Sequence, residues 1–285
     1  MPVLAVTAAT GRLGRLVVRS LLERGVPAGD VVALARTPSR AGDLAELGVQ
    51  VREGDYSRPQ ILRPALEGVA SVLLVSGDEV GRRVAQHTAV VEAARDAGVG
   101  RVAYTSILRA GTTQNPLAPE HRATEEVLRG SGLAWTLLRN GWYAENYTDR
   151  LAQHLATGEV VGASGQGRVA AATRADYAAA AAAALAGEGH EGAVYELAGS
   201  PFTMADLAAT ITQVTGTRVR YRDVSPHDLV AELVGAGLDE GSARFVAALE
   251  EATARGDLDA PDTDLVSLLG RPSTPLADAV RAAAR

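Results

Sequence analysis

The chain has 285 residues and 47% of them are hydrophobic, which is enough for one large packed domain or for a nucleotide domain with an appended lobe. Its formal net charge of -6, without a long basic run, argues against a nucleic-acid partner and against binding to an anionic membrane. The chain contains no cysteine and its histidines lack metal-binding spacing, so we expect small-molecule partners, no disulfide and no metal.

All 28 basic residues are arginines, because the chain contains no lysine. This absence excludes Schiff-base chemistry, a phosphate-loop lysine and the tyrosine/lysine pair of many short-chain dehydrogenases. The first residues, MPVLAVTAAT, lack the basic segment of a secretory leader, and no apolar run of about 18 residues follows. A cytoplasmic location is therefore the default expectation.

In the first half of the chain, short apolar runs alternate with helical spacings. Strands are predicted over residues 3–7, 31–35, 49–52, 69–76, 101–105 and 134–139. Helices are predicted after the first strand and over residues 79–97 and 119–130. This alternation is typical of a mostly parallel sheet covered on both faces. We therefore predict an α/β fold with a Rossmann-type doubly wound parallel sheet.

In the second half of the chain the alternation of strand and helix patterns is less regular. The segment 177–185 is mostly alanine and is predicted as a buried or closely packed helix, since alanine favours helix. A strand is predicted at 194–197 and a helix at 204–215. We expect a dinucleotide-binding domain over residues 1–142, to which later segments can return, and a smaller, mainly helical, substrate-side lobe over 143–285.

The segment VTAATGRLG, residues 6–14, follows the first strand and opens a helix. In a dinucleotide fold the pyrophosphate lies at this helix N-terminus, where free N–H groups and the helix dipole favour an anion. Gly11 and Gly14 allow close approach of the backbone. Ala8 stands where the first glycine is expected, and its methyl group is harmless at negative φ but costs about 1 kcal/mol at positive φ.

The residues after the second and third strands point to the form of the dinucleotide. An NAD site usually places an acidic residue after the second strand, whereas Arg36 can face a 2′-phosphate, with Arg12 or Arg40 as a second clamp. NADP(H) is therefore predicted over NAD, although Arg36 has the alternative of a solvated surface arginine. Asp55 either binds the adenine amino group or stabilises a turn.

Several segments together resemble the NmrA-like atypical short-chain dehydrogenases. They are TAATGRLG, VALART, REGDY, EHRATEEVL, LLRNGWYAEN and ATRADYAAA, of which EHRATEEVL and LLRNGWYAEN are the most specific. The nearest likeness is to the bacterial NADPH-dependent quinone oxidoreductases of that group. The resemblance covers nearly the whole chain and implies a cleft between the two lobes for NADP(H) and for a planar quinone or related carbonyl acceptor.

The resemblance implies the cofactor residues one by one. They are Thr10, Gly11, Arg12 and Leu13 at the pyrophosphate, Arg36 at the 2′-phosphate, Asp55 and Tyr56 at the adenine, Val75, Ser76 and Gly77 under the ribose, and Thr105 and Asn140 near the nicotinamide. His87 and Gln86 are predicted on a helix that borders the cofactor. Glu125 and Glu126 are predicted on a solvated helix face.

Two departures from the family pattern affect the expected chemistry. One is Ala8 in place of glycine. The other is that Leu117 occupies the position of the usual catalytic tyrosine and His121 that of its lysine. A ketone gives a basic alkoxide that needs a positioned acid, whereas a reduced quinone can take a proton from water. The missing dyad therefore favours a quinone acceptor.

Ser106, His121 and Tyr143 are the candidate catalytic residues. Ser106 either hydrogen-bonds an acceptor oxygen or is a strand-end hydroxyl satisfied by the backbone. His121 donates a proton or binds the nicotinamide ribose, or else it is a solvated surface residue. Tyr143, with Trp142, either stacks on a flat acceptor or belongs to the core.

The sequence thus predicts an NADPH-dependent oxidoreductase that reduces a quinone or related carbonyl by direct hydride transfer. One alternative is a non-catalytic sensor of the NADP redox state that acts by binding another protein, since loss of the dyad fits that role as well. Another is an enzyme that acts on an aromatic natural-product quinone. Fold alone does not choose among them. The oligomeric state, monomer or homodimer, is expected by analogy only.

Overall fold

The computed structural model describes residues 2–285. The strands of this range are β1 (Leu4–Val6), β2 (Val31–Ala35), β3 (Gln50–Glu53), β4 (Ser71–Leu74), β5 (Arg101–Ile107), β6 (Ala134–Asn140), β7 (Glu159–Gly162), β8 (Arg168–Val169), β9 (Ala193–Leu197), β10 (Phe202–Thr203) and β11 (Arg220–Asp223). The α-helices are α1 (Arg12–Glu23), α2 (Gly42–Ala45), α3 (Pro59–Ala65), α4 (Arg83–Asp96), α5 (Ala118–Gly130), α6 (Glu145–Thr148), α7 (Leu151–Thr157), α8 (Arg174–Ala186), α9 (Met204–Thr215), α10 (Pro226–Gly235), α11 (Glu240–Ala254), α12 (Thr263–Leu269) and α13 (Leu276–Ala283).

Seven parallel strands form the central sheet in the order β3-β2-β1-β4-β5-β6-β9. The strand order reverses between β1 and β4, which is the topological switch point of a doubly wound fold. Every residue of β1, β2 and β5 is buried, because helices cover both faces of the sheet. The predicted α/β, Rossmann-type fold class is confirmed.

Successive strand residues belong to two different cores, one on each face of the sheet. Leu73 packs with α1 and α8, whereas Val72 and Leu74 pack with α3, α4 and α5. The alanines of α8 are buried against α1, and their small side chains allow the two helices to lie close together. The alanine-rich segment is therefore a buried helix, as predicted.

The second half of the chain divides between the sheet and a smaller lobe. The sheet takes α8 and β9 from it, while β7 pairs with β11, β8 pairs with β10, and α9 and α13 pack on a separate core. Leu108 and Trp142, just beyond β5 and β6, join that core, so the lobe lies at the carboxyl edge of the sheet. None of the helices described between residues 2 and 285 is long and apolar enough to cross a membrane.

The buried carboxylate of Asp176 ties the first turn of α8 to the segment before α13. It accepts hydrogen bonds from the Thr173 hydroxyl at 2.9 Å, from Arg271 Nη2 at 2.8 Å and from the Thr274 backbone N–H at 2.9 Å. Asp206 accepts the equivalent bond from the Thr203 hydroxyl at the start of α9 but is exposed.

We predict that Asp176→Asn lowers the free energy of unfolding by about 3 kcal/mol, because it removes the charge of a buried carboxylate that pairs with the half-exposed Arg271 and leaves polar partners unsatisfied. The matched variant Asp206→Asn should lose about 1 kcal/mol or less, since water replaces its bonds. Urea unfolding of both variants measures the difference. Equal losses would contradict the conclusion that the buried hydrogen bonds of Asp176 hold α8 to the segment before α13.

Candidate active site

A cleft of about 610 Å³ lies at the carboxyl edge of the central sheet, where the lobe meets it. Parallel strands bring their carboxyl ends to one edge, so residues from six different strand ends border the same space. All predicted cofactor residues except Thr105 line the cleft, namely Thr10, Gly11, Arg12, Leu13, Arg36, Asp55, Tyr56, Val75, Ser76, Gly77 and Asn140. The predicted catalytic residues Ser106, His121 and Tyr143 line it as well.

The middle of the cleft receives the N-terminus of α1. Gly11 is the N-cap residue, in an extended conformation, and it provides no side-chain cap. The N–H groups of the first turn have no intrahelical acceptors and carry the positive end of the helix dipole. This is the arrangement that binds phosphate groups in other helices.

The turn before α1 depends on an unusual backbone conformation at Ala8. Its φ is +47°, in the left-handed region that normally favours glycine. The Ala8 carbonyl accepts a hydrogen bond from the Gly11 N–H at 2.9 Å, and a Cβ added at Gly14 would lie 2.4 Å from the same oxygen. Gly14 is thus required for α1 to approach the turn, whereas Ala8 adopts the conformation that the sequence pattern assigns to glycine.

One end of the cleft carries exposed cations. The Arg36 side chain is 68% exposed, and its Nη1 lies 3.7 Å from Glu79 Oε1 across the cleft rim. Arg40 lines the same end. Asp55 also borders the cleft, and its Oδ1 accepts a hydrogen bond from the Ser57 N–H at 2.9 Å. Asp55 therefore stabilises a turn, which is one of the two roles predicted for it. Its side chain also borders the cleft, so it can still bind a ligand.

The wall between the two ends is built by hydrogen bonds from buried residues. The Ser76 N–H donates to Thr105 Oγ1 at 2.8 Å, and the Gly77 N–H donates to His87 Nε2 at 2.9 Å. Thr105 is buried behind Ser76 and does not line the cleft. Arg83, which the sequence reasoning missed, is 5% exposed and donates from Nε to the Gly77 carbonyl at 2.8 Å.

Tyr56 joins the ends of β1 and β4 near the arginine end of the cleft. Its hydroxyl donates to the Val75 carbonyl at 2.8 Å and lies in hydrogen-bond contact with the Thr7 hydroxyl. The Thr7 hydroxyl in turn accepts from the Val75 N–H at 3.0 Å. Burial raises the pKa of Tyr56 well above its usual value, so the hydroxyl acts as a neutral structural donor.

His121 lies on the cleft floor and is only 5% exposed, so its alternative as a solvated surface residue is wrong. Its Nδ1 lies 2.7 Å from the Tyr104 hydroxyl. Burial, reinforced by the nearby positive charge of Arg83, lowers the pKa of His121 to about 3. The imidazole is therefore neutral at physiological pH.

Ser106 donates its hydroxyl proton to Glu125 Oε1 at 2.6 Å, so it is not satisfied by the backbone. Glu125 is 1% exposed, and the prediction of a solvated helix face is wrong for it, whereas Glu126 is exposed. Arg139 binds the same carboxylate through Nε at 2.9 Å and Nη2 at 2.7 Å. Burial opposes ionisation, but the bonds from Arg139 and Ser106 bring the net pKa of Glu125 below its usual value.

Aromatic side chains line the end of the cleft opposite the exposed cations. Tyr143 packs edge-on against Tyr177 with ring centroids 5.5 Å apart, and the Arg174 guanidinium carbon lies 4.9 Å from the Tyr143 ring centre. Burial raises the pKa of Tyr143, partly offset by a hydrogen bond with Asn140. Trp142 lines the same end. Arg174 was not among the predicted site residues, although it lies in the segment ATRADYAAA.

The donors and acceptors in the cleft fit a dinucleotide better than a metal. The uncapped helix, the missing Cβ at Gly14 and the exposed guanidinium groups suit phosphate, and the flat aromatic end suits a ring. Among residues 2–285, no three histidine, aspartate or glutamate side chains are grouped so that they could hold a metal ion.

Known proteins match nearly the whole chain. Residues 8–188 match a family model described as NAD(P)H-binding. Quinone oxidoreductase 2 of Escherichia coli (strain K12) is 46% identical over 278 residues, 97% of each chain. The NADPH complex of an E. coli NADPH-dependent quinone oxidoreductase has a TM-score of 0.95, with 45% identity, covering 99% of this chain and 100% of that one. A Citrobacter sp. triphenylmethane reductase complexed with NADP(H) has a TM-score of 0.93, with 39% identity, covering 98% of this chain and 99% of that one.

We predict that Ala8→Gly raises the free energy of unfolding by about 0.5–1 kcal/mol, because relief of the left-handed strain exceeds the entropic cost of glycine. Affinity for a dinucleotide should change by less than about tenfold, since the turn already has the glycine-like shape. Urea unfolding measures the first effect and calorimetric titration the second.

The matched control is Ala9→Gly, at a buried neighbour with ordinary φ, which should destabilise the protein. If both variants lose stability equally, the conformation inferred for Ala8 is wrong.

Proposed function

The chain belongs to the NAD(P)H-binding family, and from this premise we propose that it is an NADPH-dependent oxidoreductase that reduces a quinone or a related planar aromatic acceptor. The resemblance to NmrA-like atypical short-chain dehydrogenases, predicted from the sequence segments, is confirmed. The observation that carries the proposal is a single cleft with two unlike ends. Exposed arginines lie at one end, the uncapped N-terminus of α1 lies in the middle, and aromatic rings lie at the other end.

The cation end supports NADPH rather than NADH. Within residues 2–285 the one charged partner of Arg36 is Glu79, at 3.7 Å, so its guanidinium donors can bind a 2′-phosphate in a bidentate manner. Arg40 lines the same end and adds positive charge. The N–H groups of the α1 first turn would hold the pyrophosphate. When bound, the reduced nicotinamide supplies the hydride.

The acceptor end offers hydrogen bonds but no strong acid. Leu117 lines the cleft where the family dyad has its tyrosine. The hydroxyl hydrogen of Ser106 is already used in its hydrogen bond to Glu125, and the raised pKa of Tyr143 keeps that phenol neutral. A ketone would need an acid here, whereas a reduced quinone can be protonated by water. The site therefore favours quinones, and conjugated dyes of the kind named for the triphenylmethane reductase are related acceptors.

His121 acts in this proposal as a neutral hydrogen-bond donor. We assign the Tyr104 hydroxyl as the donor to Nδ1, which leaves the imidazole proton on Nε2, the ring nitrogen away from Tyr104. Behind His121, Tyr104 contacts Thr124, and Thr124 lies 3.1 Å from His87 Nδ1. The other ring nitrogen of His87 accepts a hydrogen bond from the backbone N–H of Gly77, where the network ends. A backbone N–H cannot resupply protons, so this network orients His121 without relaying a proton from solvent.

A cytoplasmic location and a monomer or homodimer remain predictions of the sequence, as does the preference for small-molecule partners over nucleic acid. The alternative of a redox sensor differs from the proposed function in one observable. A sensor binds both cofactor forms without consuming NADPH, whereas a reductase turns over. The alternative of an aromatic natural-product quinone keeps an enzyme and changes its acceptor or its reaction.

We expect NADPH to be oxidised in the presence of a panel of quinones, followed by the absorbance of the reduced nicotinamide. Arg36→Ala should weaken NADPH binding about 10- to 100-fold and leave NADH binding unchanged, because only NADPH carries the 2′-phosphate. Arg63→Ala, which removes an exposed arginine outside the cleft, is the matched control. Tight NADPH binding with no turnover of any quinone or conjugated dye would favour the sensor and overturn the proposal.

We also predict that His121→Phe lowers kcat about 10- to 100-fold without changing the Kd of NADPH, because it removes one donor to the acceptor oxygen. Tyr104→Phe, which keeps the imidazole but frees its tautomer, should lose less. Since the pKa of His121 is about 3, its proton count does not change between about pH 5 and about pH 8. A wild-type kcat profile with a step near the ordinary histidine pKa, absent in His121→Phe, would contradict the neutral-donor role.

A further inference from the structure

Ser106 borders the cleft with a hydroxyl group whose direction is fixed from behind. It lies near the carboxyl end of β5, is 4% exposed and donates its hydrogen to Glu125 Oε1 at 2.6 Å. The Glu125 carboxylate has no proton to return, because Arg139 donates to both of its oxygens and Arg129 donates to Oε2 at 3.2 Å. A serine hydroxyl has one hydrogen, so Ser106 offers a bound molecule only the lone pairs of its oxygen.

A second pair of residues places a hydrogen-bond donor beside this oxygen. Tyr104 and Ser106 are two residues apart in β5, so they lie on the same face with about 7 Å between them. Their partners on α5, His121 and Glu125, are four residues apart, which is one helical turn. The two contacts between strand and helix are therefore neighbours, and His121 lines the cleft as Ser106 does. With the neutral donor role proposed above for His121, the cleft floor presents one hydrogen-bond donor next to one hydrogen-bond acceptor.

This arrangement does not match an unsubstituted quinone. Quinone carbonyl oxygens only accept hydrogen bonds, so one of them suits His121 but none suits Ser106. A carbonyl oxygen that faces the Ser106 oxygen in a buried site leaves both groups without the hydrogen bonds that water would give them. A quinone that carries an N–H or O–H group beside its carbonyl satisfies both residues.

We propose that Ser106 is a specificity-determining residue for the quinone, with its oxygen accepting a hydrogen bond from an N–H or O–H group that the quinone carries beside its carbonyl. The inference rests on the proposed function and names its substrate class, which is amino- and hydroxy-substituted quinones. Glu125 is a positioning residue, because it acts on the quinone only through the direction of the Ser106 hydroxyl.

The test measures binding without turnover, by calorimetric titration of protein saturated with NADP⁺. The ligands are 2-amino-1,4-naphthoquinone and 2-methyl-1,4-naphthoquinone, whose amino and methyl groups have nearly the same size while only the amino group donates hydrogen bonds. The wild-type protein should bind the amino compound about tenfold more tightly, the usual effect of one hydrogen bond. Ser106→Ala should bind the two compounds with equal affinity. Ser76→Ala, which removes another cleft hydroxyl, should keep the wild-type preference.

Glu125→Gln tests the positioning role. Arg139 and Arg129 both donate to Oε2, so the amide oxygen keeps that place and the amide NH₂ faces Ser106. The Ser106 hydrogen then turns toward the cleft, and the preference for the amino compound should fall below about threefold. A loss of stability alone would not change the ratio of the two affinities. A wild-type ratio in Glu125→Gln would therefore overturn the positioning role.

Three further outcomes overturn the inference. Equal wild-type affinities for the two compounds would show that no residue recognises the added donor, and this result needs no variant to fold. A preference that survives in Ser106→Ala would place the recognising group elsewhere. Weaker binding of NADPH by Ser106→Ala would show that the hydroxyl serves the cofactor and not the quinone. A wild-type protein that binds neither naphthoquinone instead overturns the proposed function, so the two failures are distinguishable.

Discussion

The close approach of α1 to the turn that follows β1 is the contact on which the rest of the cleft depends. The Ala8 carbonyl occupies the space that a side chain at residue 14 would need, with only 2.4 Å to an added Cβ. That approach places the free N–H groups of the first helical turn at the carboxyl edge of the sheet, beside the ends of five further strands that border the cleft. The turn tolerates alanine because its neighbours determine the left-handed conformation of Ala8.

Burial sets the chemistry of the cleft in a consistent direction. The pKa values of Tyr56 and Tyr143 are raised and that of His121 is lowered, with burial as the first cause in each case. Each of these groups is thereby held in its neutral form and offers hydrogen bonds rather than protons. Glu125 stays ionised, but its charge is shared with Arg139 inside the protein. A cleft of this kind suits an acceptor whose reduced form does not need a protein acid.

Local patterns predicted the fold well. The strand at 31–35 and the helix at 204–215 have the predicted bounds, because continuous apolar runs and helical spacing are properties of a short segment. The burial of Glu125 could not be predicted in this way. Its partners Ser106 and Arg139 come from two strands that only the folded sheet brings together. The sequence of α5 alone therefore indicates a solvated face. The direction in which the Ser106 hydroxyl donates is likewise a property of packing.

A pair of isotope effects on a single turnover, with a quinone as acceptor, tests whether the cleft reduces its substrate by hydride transfer without a protein acid. NADPH deuterated at the transferable position should slow the reaction, because hydride transfer is the chemical step, whereas heavy water should leave the rate nearly unchanged, because no protein acid donates in that step. A large solvent isotope effect would contradict the account, since it would show that a proton from the protein moves in the transition state.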